Sequence, residues 1–311
     1  MTILYRRCWR LKFYDKKQKE ILTLQENLQT VNPLRITFFI RQLIYIVNYM
    51  ANIKIYNLSE DTKSLIHDAY AITFETGYDD ELKLLHKGLI VNKYDLRQQP
   101  DYIYVIATQD LFDNVRPFSI NIPKTKTDRE AIKLIAKAAD IPDLIVQDGN
   151  LKGLKDKPIG HDFNAGTLNY FQTFQQFADE EHLNLWITNG VLYTTSKTPD
   201  EIRDDDESKK IILNYTNGMV GSPQIDVANS GISVKSLINA DIIPGNKIII
   251  ETQSPNVQLG GINFVGFSQT QATQGEWDIF SVDHVGDSRG EEWHSNVSGF
   301  GAALVIGQQN G

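Results

Sequence analysis

Ile53-Lys54-Ile55-Tyr56-Asn57-Leu58 returns 179 residues later as Ile232-Ser233-Val234-Lys235-Ser236-Leu237, and Ile72-Thr73-Phe74-Glu75-Thr76 returns 176 residues later as Ile248-Ile249-Ile250-Glu251-Thr252. Two further blocks follow in the same order. Gly88-Leu89-Ile90-Val91 matches Gly261-Ile262-Asn263-Phe264 at an offset of 173, and Asp101 to Val105 matches Trp277 to Ser281 at 176. Most blocks alternate apolar with polar residues, the period of a strand that buries one face. Such alternation recurs by chance in any sheet protein, but a shared order and a near-constant offset point to a duplicated β domain. Residues 59–69 of the first copy carry helix signals where the second has only Asn239 to Gly245, an exchange that loops tolerate.

Outward from these blocks, β-type runs over 3–14, 35–47, 53–58, 72–76, 88–94 and 102–108 predict a mostly β region through residue 118. One short helix is predicted there, from Ser59 to Asp68, because Ser59 can cap it and Glu60 and Asp61 suit its positive end. The texture changes near Thr127. Thr127 and Glu130 make a capping box, and Ala131, Leu134, Ile135 and Ala138 share a face until Pro142. A second helix is predicted from about Ala165 to His182, with Leu168, Phe171, Phe174, Phe177 and Ala178 at helical spacing. Leu185 to Thr195 then reads as a hairpin turning at Asn189-Gly190. Consecutive Asp204, Asp205, Asp206 and Glu207 predict a solvated linker, after which strands resume, and a Gly-rich tail is expected from Gly299. The expected organisation is a mainly β fold with an α+β insert: a β domain over 1–118, a small α+β domain with acidic linker over 119–206, and a second β domain over 207–311.

Composition narrows the function classes. A chain of 311 residues with 41% hydrophobic content can bury a core in two or three domains. Its single cysteine, Cys8, precludes an internal disulfide and any multi-cysteine zinc site. A net charge of −8 disfavours phosphate-backbone binding, and suits a wall that DNA must slide past. The most apolar stretch, Ile36 to Met50, is broken by Arg41, Gln42 and Asn48 and is too short to span a bilayer. Arg6, Arg7, Arg10 and Lys12 interrupt any signal-like apolar segment at the N-terminus. The expectation is a soluble protein assembled in a cytoplasm.

Candidate chemical sites each have a plainer reading. His161-Asp162 and Asp283-His284 set an acid beside a histidine, as general-base catalysis requires, but sequence neighbours on a strand face opposite ways, so both are expected to be surface polar pairs. Glu291, Glu292 and His294 resemble a metal cluster, yet without an H-E-x-x-H helix they read as a polar loop around Trp293. Asp204 to Glu207 lacks the interleaved spacing of a calcium loop. Phe171, Phe174 and Phe177 read as core before ligand stripe. With 39 acids, no carboxylate pair for glycan cleavage can be singled out, and no nucleotide-binding or nucleophile-elbow motif occurs. No catalytic, cofactor-binding or metal-ligating residue is nominated.

Several phrases together carry a family likeness. They are Ala51-Asn52-Ile53-Lys54-Ile55-Tyr56-Asn57-Leu58-Ser59-Glu60-Asp61-Thr62 with Gly77-Tyr78 and Gly88; Gly218-Met219-Val220-Gly221-Ser222-Pro223 with Leu237 to Ile250 around Pro244-Gly245; and Asp278 to Asp287 followed by Trp293. In these the sequence resembles the baseplate hub family of contractile bacteriophage tails, Mu-type and T4-type, and the hub half of type VI secretion spike proteins. The resemblance implies two tube-like antiparallel β-barrel domains joined by a small α+β domain, and a non-enzymatic homotrimer whose barrels form a pseudo-sixfold ring. It also implies partners: the hexameric tail tube, a separate central spike, neighbouring baseplate proteins and a tape-measure protein in the lumen, with a place in the virion tail. Two readings from other classes stay open here, a tail-associated peptidoglycan hydrolase and a carbohydrate-binding host-attachment protein. Each rests on little beyond the many carboxylates or the β content.

Overall fold

The computed structural model describes residues 6–27, 29–30, 33–44, 50–110, 116–141, 144–196, 210–226, 231–252, 256–258 and 275–300. In chain order the first elements are β1 (Arg7–Tyr14), β2 (Glu20–Glu26), β3 (Ile36–Leu43), β4 (Met50–Tyr56), α1 (Glu60–His67), β5 (Ala71–Tyr78), β6 (Glu81–Gln98) and β7 (Asp101–Gln109). Then come β8 (Phe118–Ile122), α2 (Asp128–Ala139), β9 (Phe163–Leu168), α3 (Tyr170–Glu180), β10 (Leu183–Thr188) and β11 (Val191–Ser196). The chain continues through β12 (Lys210–Leu213), β13 (Met219–Asp226), β14 (Gly231–Leu237), β15 (Lys247–Ile250), β16 (Asn256–Gln258), β17 (Glu276–Asp287) and β18 (Trp293–Phe300). The fold is mainly β with an α+β insertion.

Two compact units divide the chain. One gathers Met1–Gln42, Tyr49–Thr108 and Ser208–Gly311; the other gathers Leu43–Asn48 and Gln109–Glu207. Both expected β regions therefore lie in the same unit, on one sheet with the order β16-β13-β14-β18-β17-β3-β4-β7-β6-β5-β1-β2, from which β15 and β12 branch at β17. Among the described residues these pairings form an open path, and no ring of strands closes.

The sheet order displays the duplication directly. The neighbours β3-β4-β7-β6-β5-β1 are repeated, in the same chain order, by β13-β14-β18-β17-β15-β12, except that the last pair changes direction: β1 and β5 run antiparallel, β12 and β15 parallel. Two of the matched sequence blocks fall on equivalent strands, 53–58 with 232–237 on β4 and β14, and 72–76 with 248–252 at β5 and β15. The block at 261–264 lies outside the described residues. The fourth match is corrected: Trp277 to Ser281 opens β17, which occupies the position of β6, whereas the equivalent of β7 is β18. Alternation alone does not distinguish neighbouring strands of one hairpin.

Each copy buries its own apolar set. Leu11, Phe13, Ile53, Ile55, Ile72 and Phe74 fill the first, and Ile232, Val234, Ile248, Trp277, Ile279 and Val297 the second. Alternation sets these faces, as in β5, where every second residue from Ile72 to Tyr78 is buried. Helix α1 begins at Ser59, whose hydroxyl accepts from the Thr62 backbone N–H, and its C-terminal carbonyls are met by the Lys93 ammonium, 3.1 Å from Ile66 O and 2.6 Å from His67 O. No helix fills the equivalent stretch at 239–245. Gly299 is not the start of a tail: it lies within β18, opposite Ile232 and Ile279.

In the second unit α2 opens on the expected Thr127–Glu130 capping box. Its buried face is Asp128, Ala131, Ile132, Ile135 and Ala139, while Leu134 is exposed, so the predicted face is turned around the axis. Asp128 fixes that orientation by accepting from Lys155 N at 2.7 Å. The helix expected from Ala165 is also corrected. Residues 163–168 form β9, paired with β8, and Thr167 has φ +51°. The helix begins only after Asn169, which caps it in a second box with Gln172. Phe174 and Phe177 are core, with Phe163 edge-on to Phe177 at 5.3 Å, and Phe171 is half-buried. The hairpin β10–β11 turns at Asn189-Gly190, both at positive φ, as expected.

Candidate functional site

The feature that organises the β unit is the seam joining its copies. One edge of β17 pairs with β18; the other is divided, its first residues pairing with β15 and the strand then neighbouring β3. Two arginines of the first copy clamp carboxylates of the second. Arg41 donates from Nε and Nη2 to Asp283, both at 2.7 Å, and Arg35 donates to Asp287 at 3.1 and 2.7 Å. The Arg35 guanidinium holds the Asp287 carboxyl below the usual carboxylate range. Both pairs are partly exposed, so their value lies more in fixing register than in stability. Arg7 adds a third clamp, donating to the carbonyls of Asp287, Gly290 and Glu291 and lying 5.6 Å over the Trp293 ring.

Apolar packing crosses the same seam. Phe38 on β3 meets Phe74 edge-on at 4.8 Å and Trp293 at 5.3 Å. The glycine at 286 allows this, since a Cβ there would overlap the Phe38 ring.

Polar groups are also buried in this unit. On β6, His86 Nε2 lies 2.7 Å from Thr108 Oγ1 of β7; on β17, His284 Nδ1 lies 2.7 Å from Ser295 Oγ of β18. All four residues are buried. The two pairs lie on corresponding hairpins but not at corresponding positions, since Ile72 faces Gly88 and Ile248 faces Trp277, which sets His86 level with Gly275 and not with His284. Gln42 donates to Leu85 O at 3.3 Å, and its Oε1 is buried without a partner among the described residues, as is His284 Nε2. Burial lowers the His86 pKa to about 4. It lowers that of His284 to about 3, against the pull of Asp283 and with a smaller contribution from His86.

The sequence candidates fare differently. His161 does not face Asp162: its Nε2 lies 3.1 Å from Glu180, which raises its pKa, while Asp162 accepts from Lys124 N. Asp283 and His284 likewise point apart, but His284 is not at the surface as expected; it lies in phase with buried Val282. Trp293 and His294 belong to a strand and are buried, not part of a polar loop. Among the described residues no group of three His, Cys, Asp or Glu side chains could hold a metal ion, and Asp204 to Glu207 lies outside them. No helix among the described residues is long and apolar enough to cross a membrane. His86 and Thr108 are not singled out by the sequence, and Gln42 enters there only as an interruption of an apolar stretch. Gln42 carried a signal, since Ile36, Phe38, Ile40 and Gln42 all lie on the buried face of β3.

No family model matches the chain, and no curated protein does. Solved structures do. A tail protein from Neisseria meningitidis superposes with a TM-score of 0.58 at 10% identity, covering 95% of this chain and 97% of that one. A prophage MuSo2 tail protein from Shewanella oneidensis gives 0.57 at 8%, covering 96% and 99%. An E. coli component of the type VI secretion system, described as structurally similar to T4 bacteriophage tail proteins, gives 0.54 at 11%, covering 89% and 76%. At such identities the likeness is one of fold, and it spans nearly the whole chain: this protein has the fold shared by these phage tail and type VI secretion proteins.

Proposed function

We propose that the chain is the baseplate hub of a contractile tail, a non-enzymatic homotrimer that adapts a hexameric tail tube to a trimeric central spike. The observation that carries this reading is the repeated strand order within one β unit, together with the fold likeness. Three chains with two similar sheet assemblies each present six similar units around one axis, so a trimer can seat against a sixfold ring. Edge strands such as β2 supply the unpaired backbone through which neighbouring chains would join. The partners are the tube, the spike, adjoining baseplate proteins and a tape-measure protein in the lumen, in a tail assembled in the host cytoplasm. The charge of −8 suits a conduit wall to which DNA does not adhere. After the sheath contracts, the hub moves with tube and spike and opens once the spike is shed.

The test is molar mass by multi-angle light scattering, on the purified chain alone and with the spike protein of the same tail. A trimer, free or formed on adding the spike, supports the reading. A persistent monomer indifferent to the spike overturns it.

A further inference from the structure

We propose that His86 and His284, buried on strands β6 and β17 and each beside a hydroxyl, form an acid-sensitive latch that keeps the β unit folded only while both rings are neutral.

His86 has Thr108 beside it on β7, and the nearest ionisable side chain of β5, Glu75, is taken up by Arg10. Toward β3 the polar neighbour of this stretch is Gln42, bound to Leu85 O, and a neutral amide cannot balance a charge. His284 has Ser295 on β18. Its one acidic neighbour, Asp283, belongs to Arg41 of β3, and His294 of β18 sits by Lys235 and Glu292. His86 is itself among the groups that disfavour a charge on His284. Among the described residues a proton entering this region therefore finds no free carboxylate to answer it, and a second proton meets the first.

Two hairpins, β6–β7 and β17–β18, each bury an imidazole beside a hydroxyl, at positions that the strand registers do not make equivalent. Both hairpins thus respond to acid. The ring atom His284 Nε2, buried and without a partner among the described residues, cannot accept a proton without placing a cation there.

The unfolded chain binds protons at ordinary histidine pKa values while the folded form refuses them, so stability is full above about pH 6.5 and declines as pH falls below it. Between pH 6 and pH 5 each such histidine raises the unfolding constant about sevenfold, and two raise it about fiftyfold.

The experiment uses the full chain. Histidine ring resonances are followed by NMR from pH 8 to 5, and urea unfolding constants are measured at pH 6 and pH 5 for wild type and for the double variant His86→Gln with His284→Gln. Glutamine can keep a hydrogen bond to Thr108 or Ser295 without titrating. Two rings that stay neutral to pH 5, with a wild-type rise exceeding that of the variant by about fiftyfold, support the latch. Rings that titrate near 6.5, or equal rises in both proteins, overturn it. If the variant does not fold, the ring titration decides alone.

Discussion

Replacing Phe38 by alanine tests the seam most directly. Phe38 is 4% exposed and packs against two rings, Phe74 and Trp293, and against the backbone at Gly286. Phe→Ala in a core costs about 3–5 kcal/mol, and edge-on ring contacts contribute about 0.5–1.5 kcal/mol each within that range. The glycine decides where in the range the loss falls: position 286 has no side chain to relax into the space, so about 4–5 kcal/mol is expected. The same geometry predicts the sign of a coupling. Gly286→Ala alone forces a methyl into the Phe38 ring and should cost about 1–3 kcal/mol as overpacking. Made together with Phe38→Ala it fills the vacated space, so the double variant should be more stable than the sum of the singles by about 1–3 kcal/mol. Urea unfolding at pH 7, monitored by tryptophan fluorescence, measures all four corners of the cycle. Additivity within about 0.5 kcal/mol would refute the packing argument.

Three further outcomes are expected. Thr127→Ala should remove the α2 cap and cost about 1 kcal/mol, whereas Thr127→Ser should be near neutral, both measured by urea unfolding. Burial raises the Asp110 pKa to about 8, so its stability contribution is full below the unfolded carboxylate range and is lost as pH rises through 8; Asp110→Asn should therefore raise the melting temperature at pH 8 far more than at pH 4. Gly153, at φ +67° with the Ser196 backbone where a Cβ would go, should not accept alanine: a loss above about 1 kcal/mol is expected, and a neutral result on calorimetry would refute the assigned backbone.

How much of this was legible depends on whether a local pattern determined it. In β1, Trp9, Leu11 and Phe13 alternate and are buried, and Thr127 with Glu130 marks a helix start by side-chain chemistry alone. The edge strand β2 was missed because its face is only half covered, leaving no clean alternation between Glu20 and Glu26. Helix α3 was begun too early because Leu168 sits at helical spacing from the phenylalanines, although Asn169 and Gln172 carried the capping signal. His284 could have been read as buried from its phase with Val282. His86 could not: the irregularity between Phe74 and Glu75 breaks the period of β6, so consecutive Leu85 and His86 are both buried. The neighbouring of β3 and β17 joins strands more than two hundred residues apart, and no local window contains it.

That neighbouring has a mechanical meaning. Because β17 is a rung of the second copy and lies beside the first, a pull along it is borne by rows of backbone hydrogen bonds loaded sideways and together, the arrangement in which a sheet resists rupture best. Arg35 and Arg41 sit at two points along that row like stops against sliding. In the proposed hub, thrust along the length would be carried through this sheet.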